Sequence, residues 1–284
     1  MTGSWGKNVI MAGLLGVGAV ALMAATTSAP ATVPDDSAKP AILSHRAFYK
    51  MELDSARNTS TVRGVGGGMY FSWQDACDGW TVEQHLDLAF THEEAEETRL
   101  SSVYTTWESK DGTRYRFNYR KANNGQQAEE LRGTASLDRS GGSGTAHYTV
   151  PEAKDVDLPA GTYFPTAHTM VLVEAAQAHK PMVSATVFDG TDEEGLSQIS
   201  AVIGAGKPLM TEVAKTGLGA DVPAQAWPVR MAFFPLEDSQ AEPDYEMDTN
   251  LLANGVSEFM IMDYGEFKLR GTLEKVEIIP KPDC

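Results

Sequence analysis

The six histidines are the residues of this chain best suited to bind a metal or to move a proton. They are His45, His85, His92, His147, His168 and His179. A zinc site needs histidine or cysteine at close spacing, and no two of these histidines stand four residues apart. His168 is interpreted as a packed or capping residue rather than a ligand. The sequence therefore predicts no metal site and no cofactor.

Motifs for nucleophilic and phosphate chemistry are incomplete. The glycine-rich run 141–144 lacks the G-x-S-x-G arrangement of a serine hydrolase. Asp155 and Asp157 lack the rest of a calcium-binding loop, and no predicted helix follows the glycines of 64–68, as a phosphate loop would require. A carboxylate pair for glycoside cleavage stays open, because sequence does not show how far apart two side chains lie. The sequence favours a protein without catalytic residues, and a wall or glycan hydrolase is the least favoured alternative.

Four tryptophans offer broad aromatic faces for binding. Trp73, Trp80, Trp107 and Trp227 could line a groove for a lipid, a glycan or a peptide. The alternative is that these side chains fill the core of a β protein, as large aromatic residues often do. Both interpretations stay open at this stage.

The N-terminus has the three parts of a secretory signal. Lys7 is the only charge before Asp35, the run 9–25 is apolar, and small residues follow up to position 31. We expect residues 1–29 to be a cleaved signal peptide, residues 30–41 a flexible leader, and the mature protein to be exported. A permanent membrane anchor is the alternative, although this run has the minimum length for a span and contains glycines.

The two cysteines, Cys77 and Cys284, stand 207 positions apart (284 minus 77). An exported chain with an even cysteine count is expected to form disulfides, and two cysteines allow a single connectivity. The chain-entropy model gives about 5 kcal/mol of stabilisation for so long a loop. The predicted bond holds the end of the chain against the turn at 75–79. Two free thiols are the alternative.

The charge of the chain limits its partners. The formal net charge is -16 at pH 7, which argues against binding nucleic acid or anionic lipid through a basic patch. The simplest interpretation is that this charge keeps the protein in solution.

Alternation of apolar and polar residues predicts about a dozen strands between residues 42 and 284, with short turns such as Asp111-Gly112 and Asn254-Gly255. These strands predict a mainly antiparallel sheet, coiled or partly closed, in a single domain. The glycines of 64–68 and a phase change near Gly271 suggest bulges. Residues 204–224 receive no assignment.

One main α-helix is predicted near 166–180. Thr166 is the predicted N-terminal cap, Pro165 precedes it, and Pro181 ends the helix. A side of the helix that includes Met170 and Glu174 is expected to be buried.

Short motifs along the mature chain resemble a known family. In chain order they are His45-Arg46-Ala47-x-Tyr49, Cys77-Asp78-Gly79-Trp80-Thr81, Trp107-Glu108-x-x-Asp111-Gly112, Leu158-Pro159-x-Gly161-x-x-Phe164-Pro165-Thr166-x-His168, Trp227-Pro228-Val229, Asn254-Gly255-Val256, Asp263-Tyr264-Gly265-x-Phe267 and the terminal Cys284. Together they resemble the alphaproteobacterial periplasmic family of the cell envelope integrity protein EipB, formerly a domain of unknown function.

The resemblance implies a β-spiral, an open barrel-like sheet of about 14 strands with one helix, held by a disulfide at the positions of Cys77 and Cys284. It also implies a periplasmic location for the mature protein, and a role in envelope integrity and resistance to envelope stress, without a known catalytic activity. The first hypothesis is a scaffold or binding protein whose partner is another periplasmic protein, a lipid or a peptidoglycan fragment. The second is a carrier of a lipid, lipoprotein or peptide in a concave groove. The oligomeric state is not indicated.

Overall fold

The computed structural model describes residues 42–93, 95–193, 195–210, 225–236 and 242–284. The first strands are β1 (His45–Ala56), β2 (Val62–Asp75), β3 (Gly79–His92), β4 (Thr98–Ser109), β5 (Arg114–Asn123), β6 (Gln126–Leu137), β7 (Gly144–Val150), β8 (Lys154–Leu158) and β9 (Thr162–Tyr163). After α1 (Pro165–Gln177) come β10 (Met182–Phe188), β11 (Leu196–Ile203), β12 (Lys207–Pro208), β13 (Gln225–Pro235), β14 (Tyr245–Leu252), β15 (Ser257–Asp263) and β16 (Phe267–Ile278). The predicted signal peptide, the leader and most of 204–224 lie outside these ranges.

One sheet contains all the strands. Their order is β8-β7-β6-β5-β4-β3-β2-β1-β16-β15-β14-β13-β11-β10-β9, and β12 pairs with β13 beside this path. Neighbours are antiparallel except β9 and β10. The predicted fold class is confirmed, with sixteen strands among the described residues against about 14 implied by the resemblance. Alternation alone predicted about a dozen, and the two-residue strands β9 and β12 are too short to show a periodicity.

The two ends of the sheet meet along a seam of aromatic side chains, which makes it nearly a closed barrel. Tyr115 and Phe117 of β5 and Tyr148 of β7 come from one end, and Phe164 and Phe188 come from the other. Tyr115 stacks on Phe164 with ring centroids 4.8 Å apart, and Phe117 meets Phe188 edge-on at 5.5 Å. Burying one such ring stabilises a fold by about 2 kcal/mol. The sheet therefore closes through packed side chains at this seam.

α1 begins at Pro165, so Thr166 is inside the helix and does not cap it. The backbone N–H groups of Thr166 and Ala167 instead donate to the two carboxylate oxygens of Glu108, each at 2.8 Å. The predicted cap is therefore wrong, because a side chain from β4 satisfies the donors that a helix start leaves open. Pro181 does follow the last turn, as predicted.

The helix buries a different side from the expected one. Leu172, Val173 and Ala176 are buried and pack with residues of β10 and β11, whereas Glu174 is exposed. The sheet lies on the Leu172 side, which the short helix sequence does not reveal. No helix among the described residues is long and apolar enough to span a membrane.

The bulge expected near Gly271 lies three residues later. Phe48 of β1 pairs with Lys275 and Tyr49 pairs with Leu273, which leaves Glu274 as the extra residue. Gly271 has another role, since a Cβ there would lie 2.9 Å from the sulfur of Met51.

Candidate interaction surface

β5 separates aromatic from basic side chains on its two faces. Tyr115 and Phe117 point inward and are buried, while Arg114, Arg116 and Arg120 are exposed on the outer face. Successive side chains of a strand point to opposite faces, so arginines at even positions share one side. The alternation of arginine with aromatic residues along β5 is visible in the sequence, where the even positions 114, 116 and 120 are arginine.

Neighbouring strands extend this outer face. Trp107 of β4 stands opposite Arg116, and the Arg116 guanidinium lies 4.8 Å from the indole centroid. Arg114 approaches the same ring at 5.7 Å. Arg132 of β6 lies opposite Asn118. We call Arg114, Arg116, Arg120, Arg132 and Trp107 the arginine face. Cation–π contacts of this kind hold the guanidinium groups and the indole together at the surface.

Two shallow depressions flank the Trp107–Arg116 contact. One, of about 480 Å³, reaches from Arg114 to His147 and Asp155. The other, of about 430 Å³, reaches from Thr105 to Arg132. Trp107 and Arg116 line both, so they form the ridge between the depressions. The surface is therefore contoured, with a basic and aromatic centre.

The charges of β5 are not neutralised by ion pairs. Among the described residues, Arg114, Arg116, Arg120 and Lys121 form none, although the chain carries 39 acidic residues. Arg132 is paired with Glu130 at 2.9 Å. These unpaired cations stand against the net negative charge of the chain.

A polar atom at the same place lacks a partner. The buried Oδ1 of Asn118 accepts no hydrogen bond within the part of the chain that the structure describes. Asn118 lines the 430 Å³ depression together with Arg116 and Arg132. An unmade hydrogen bond of a buried group costs free energy, so Asn118 is a locally unfavourable residue of the sheet at this depression.

The other three tryptophans named above lie elsewhere. Trp73 and Trp80 are buried side by side with ring centroids 6.2 Å apart, and Lys110 Nζ lies 3.1 Å from the Trp80 ring centroid. Trp227 is buried in a separate cluster with residues such as Val229. The structure therefore brings two of the four tryptophans together and leaves Trp107 on the outer face. A groove formed by them stays a prediction.

Cys77 and Cys284 form a disulfide, with their Cα atoms 5.9 Å apart. Cys77 adopts a left-handed backbone conformation (φ 66°), and its N–H donates to Oδ1 of Asp75 at 2.9 Å. The bond joins the turn between β2 and β3 to the last residue of the chain.

Two carboxyl groups lie near the seam, Glu108 buried and Asp189 half-buried. Burial raises the pKa of Glu108 to about 7 and that of Asp189 to about 6. Both Glu108 oxygens already accept helix N–H bonds, and Oδ1 of Asp189 accepts bonds from Thr191. Burial also lowers the pKa of His168 to about 4. Hydrogen bonds that hold the structure therefore use these carboxylates, and no metal-binding cluster occurs among the described residues.

The family model described as EipB-like matches residues 36–280. The chain belongs to the EipB-like family. It is 30% identical over 240 residues to the cell envelope integrity protein EipB of Brucella abortus (strain 2308), covering 84% of each chain. It is also similar to the crystal structure of a β-barrel-like protein of a domain of unknown function from Brucella abortus. There the TM-score is 0.78 and the identity 28%, over 84% of this chain and 99% of that chain.

These comparisons confirm the EipB family resemblance drawn from the motifs. The name of the EipB relative supports a role in the integrity of the cell envelope, and the names of both relatives describe no reaction. An envelope location is consistent with the disulfide, which persists in oxidising compartments.

Proposed function

We propose that this EipB-like chain is a non-enzymatic periplasmic binding protein that supports envelope integrity by holding a protein partner on its arginine face. The observation that carries the proposal is the contact of Trp107 with Arg114 and Arg116 on the outer face, where neither arginine forms an ion pair with a residue that the structure describes. Tryptophan and arginine are the residues most enriched among those that dominate binding energy at protein interfaces.

The inner face supports this choice over a carrier. A carrier of lipid needs an open apolar groove, whereas the apolar residues of this sheet pack with one another in four clusters. The carrier remains the second candidate, on the resemblance alone.

Complementation of a deletion strain tests the proposal. The strain receives the wild-type gene, the double variant Trp107→Ala/Arg116→Ala, or the control Phe48→Ala/Lys275→Ala. The control removes another cross-strand cation–π pair, in which Lys275 Nζ lies 5.9 Å from the Phe48 ring centroid. Survival is measured on detergent and on a cell-wall antibiotic, and matched melting temperatures establish that both variants fold.

Wild type and control should restore survival, and the Trp107→Ala/Arg116→Ala variant should not. A deletion strain as resistant as its parent would contradict the envelope role. Full rescue by the Trp107→Ala/Arg116→Ala variant would contradict the assignment of the arginine face as the binding surface.

A further inference from the structure

The geometry points to an extended acidic segment of a protein partner as the occupant of the arginine face, with carboxylates at alternate residues. This inference rests on the proposed function and names the chemistry of the partner. Its first support is spacing. Residues two apart on a strand are about 7 Å apart, so Arg114, Arg116 and Arg120 form a row about 20 Å long. A second extended chain has the same repeat, and its alternate carboxylates can meet these guanidinium groups.

The residue type is the second support. Arginine presents a planar set of donors that matches a carboxylate with two parallel hydrogen bonds. Among the described residues, Arg114, Arg116 and Arg120 form no ion pair with a carboxylate. Seven other arginines each form an ion pair with an aspartate or a glutamate. Those arginines are Arg46, Arg63, Arg99, Arg132, Arg139, Arg230 and Arg270. Outward arginines on β5 are therefore available to a carboxylate from another molecule.

Acidic groups bound the row at both ends. Asp111 precedes β5, and hydrogen bonds from Ser109 and Thr113, with Arg114 nearby, lower its pKa to about 2. Glu130 stands opposite Arg120 at the other end. Both carboxylates repel further negative charge, so the row fits a segment of about seven residues rather than a long polyanion.

The net charge of the chain argues for a local contact. At physiological salt, charges more than about 8 Å apart are largely screened, so the remote acidic residues weaken approach without cancelling contacts at the arginine face. An anionic bilayer would instead bring many negative charges against a chain of net charge -16. A short acidic segment therefore suits this surface better than a lipid surface.

Peptide binding tests the inference with the oxidised full-length mature protein. The probe is a fluorescent heptapeptide, Glu-Thr-Glu-Thr-Glu-Thr-Glu, followed by anisotropy. A second peptide with the same composition, Glu-Glu-Glu-Glu-Thr-Thr-Thr, has the same net charge and lacks the alternation. We expect the alternating peptide to bind several-fold more tightly than the block peptide, and its affinity to fall as salt rises.

The variants are Arg114→Ala/Arg116→Ala and the control Arg46→Ala/Arg230→Ala, which changes the net charge equally at two paired arginines. The first should weaken binding about tenfold, and the control less than about twofold. Equal loss in both variants, equal affinity for both peptides, or no binding would overturn the inference. Arginine-dependent binding to phosphatidylglycerol vesicles without peptide binding would also overturn it.

The peptide-binding test and the survival test distinguish a failure of this inference from a failure of the proposed function. If the peptide does not bind but Trp107→Ala/Arg116→Ala still fails to restore survival, the arginine face remains the binding surface and its acidic occupant is wrong. If the peptide binds as expected but that variant restores survival fully, the proposed function is wrong.

Discussion

Glu108 holds the start of α1 against β4, so its removal should destabilise the fold strongly. The side chain is 2% exposed and accepts the N–H groups of Thr166 and Ala167 at 2.8 Å each. Leaving one buried donor unsatisfied costs about 1–3 kcal/mol, and truncation also leaves a cavity. Glu108→Ala should therefore lower the free energy of unfolding by about 3–5 kcal/mol.

Glu108 should also make stability depend on pH. Burial raises its pKa from 4.5 to about 7, so between these values the folded protein holds a proton that the unfolded chain has lost. Stability from this group is therefore greatest below pH 4.5 and falls as the pH rises through 7. A shift of this size corresponds to a loss of about 2–3 kcal/mol between pH 5 and pH 8. Asp189, raised to about 6 by burial, acts in the same direction.

Urea unfolding followed by tryptophan fluorescence at pH 5 and pH 8 measures this effect. Glu108→Gln keeps the size of the side chain and cannot titrate, so its decline should be smaller than that of wild type by about 2–3 kcal/mol. The difference between the two proteins cancels the share of Asp189. Equal declines in both proteins would refute the reasoning about the pKa of Glu108. A loss below about 1 kcal/mol for Glu108→Ala would refute the role of its hydrogen bonds.

Two further substitutions test how the disulfide and a close contact between β2 and β3 stabilise the sheet. Cys284→Ser should lower the stability of the oxidised protein by a few kcal/mol without abolishing the fold, because the bond closes a separation of 207 residues. An unchanged melting temperature would show that the disulfide does not stabilise the fold. Gly67→Ala should cost about 3 kcal/mol in urea unfolding, since its Cβ would lie 2.0 Å from the carbonyl oxygen of Asp87. Gly66→Ala is the matched control, with no atom within 4 Å, and a similar loss there would contradict the steric argument.

Local signals explain how much of the fold could be predicted. The alternation that predicts the strands is clear in β13, where Trp227, Val229 and Met231 are buried, and Gly255 of the predicted Asn254-Gly255 turn has the positive φ of 87° that a tight turn requires. β8 could not be predicted in this way, because Lys154–Leu158 is short and mostly charged and shows no apolar alternation. The sequence of a strand does not show which other strand it pairs with.

Local sequence rules also predict neither the Glu108 cap of α1 nor the Trp107 contact of the arginine face. Glu108 lies 58 residues before Thr166, and no local rule connects them. The arginines of β5 could have been read as one outward row from their even spacing. Their contact with Trp107 depends on the register of β4 against β5, which only the folded sheet provides.

The pairing of β1 with β16 determines when the sheet can be completed. The strands before α1 follow one another along the sheet from β1 to β8, so each can pair as the chain lengthens. β1 pairs with β2 on one edge and with β16, the last strand, on the other. Until β16 has formed, the N–H and C=O groups on that second edge have no partner strand in this sheet. Open edges recruit strands from other molecules. The end of the chain therefore protects its beginning from aggregation, and a chain cut short before Phe267 leaves that edge open.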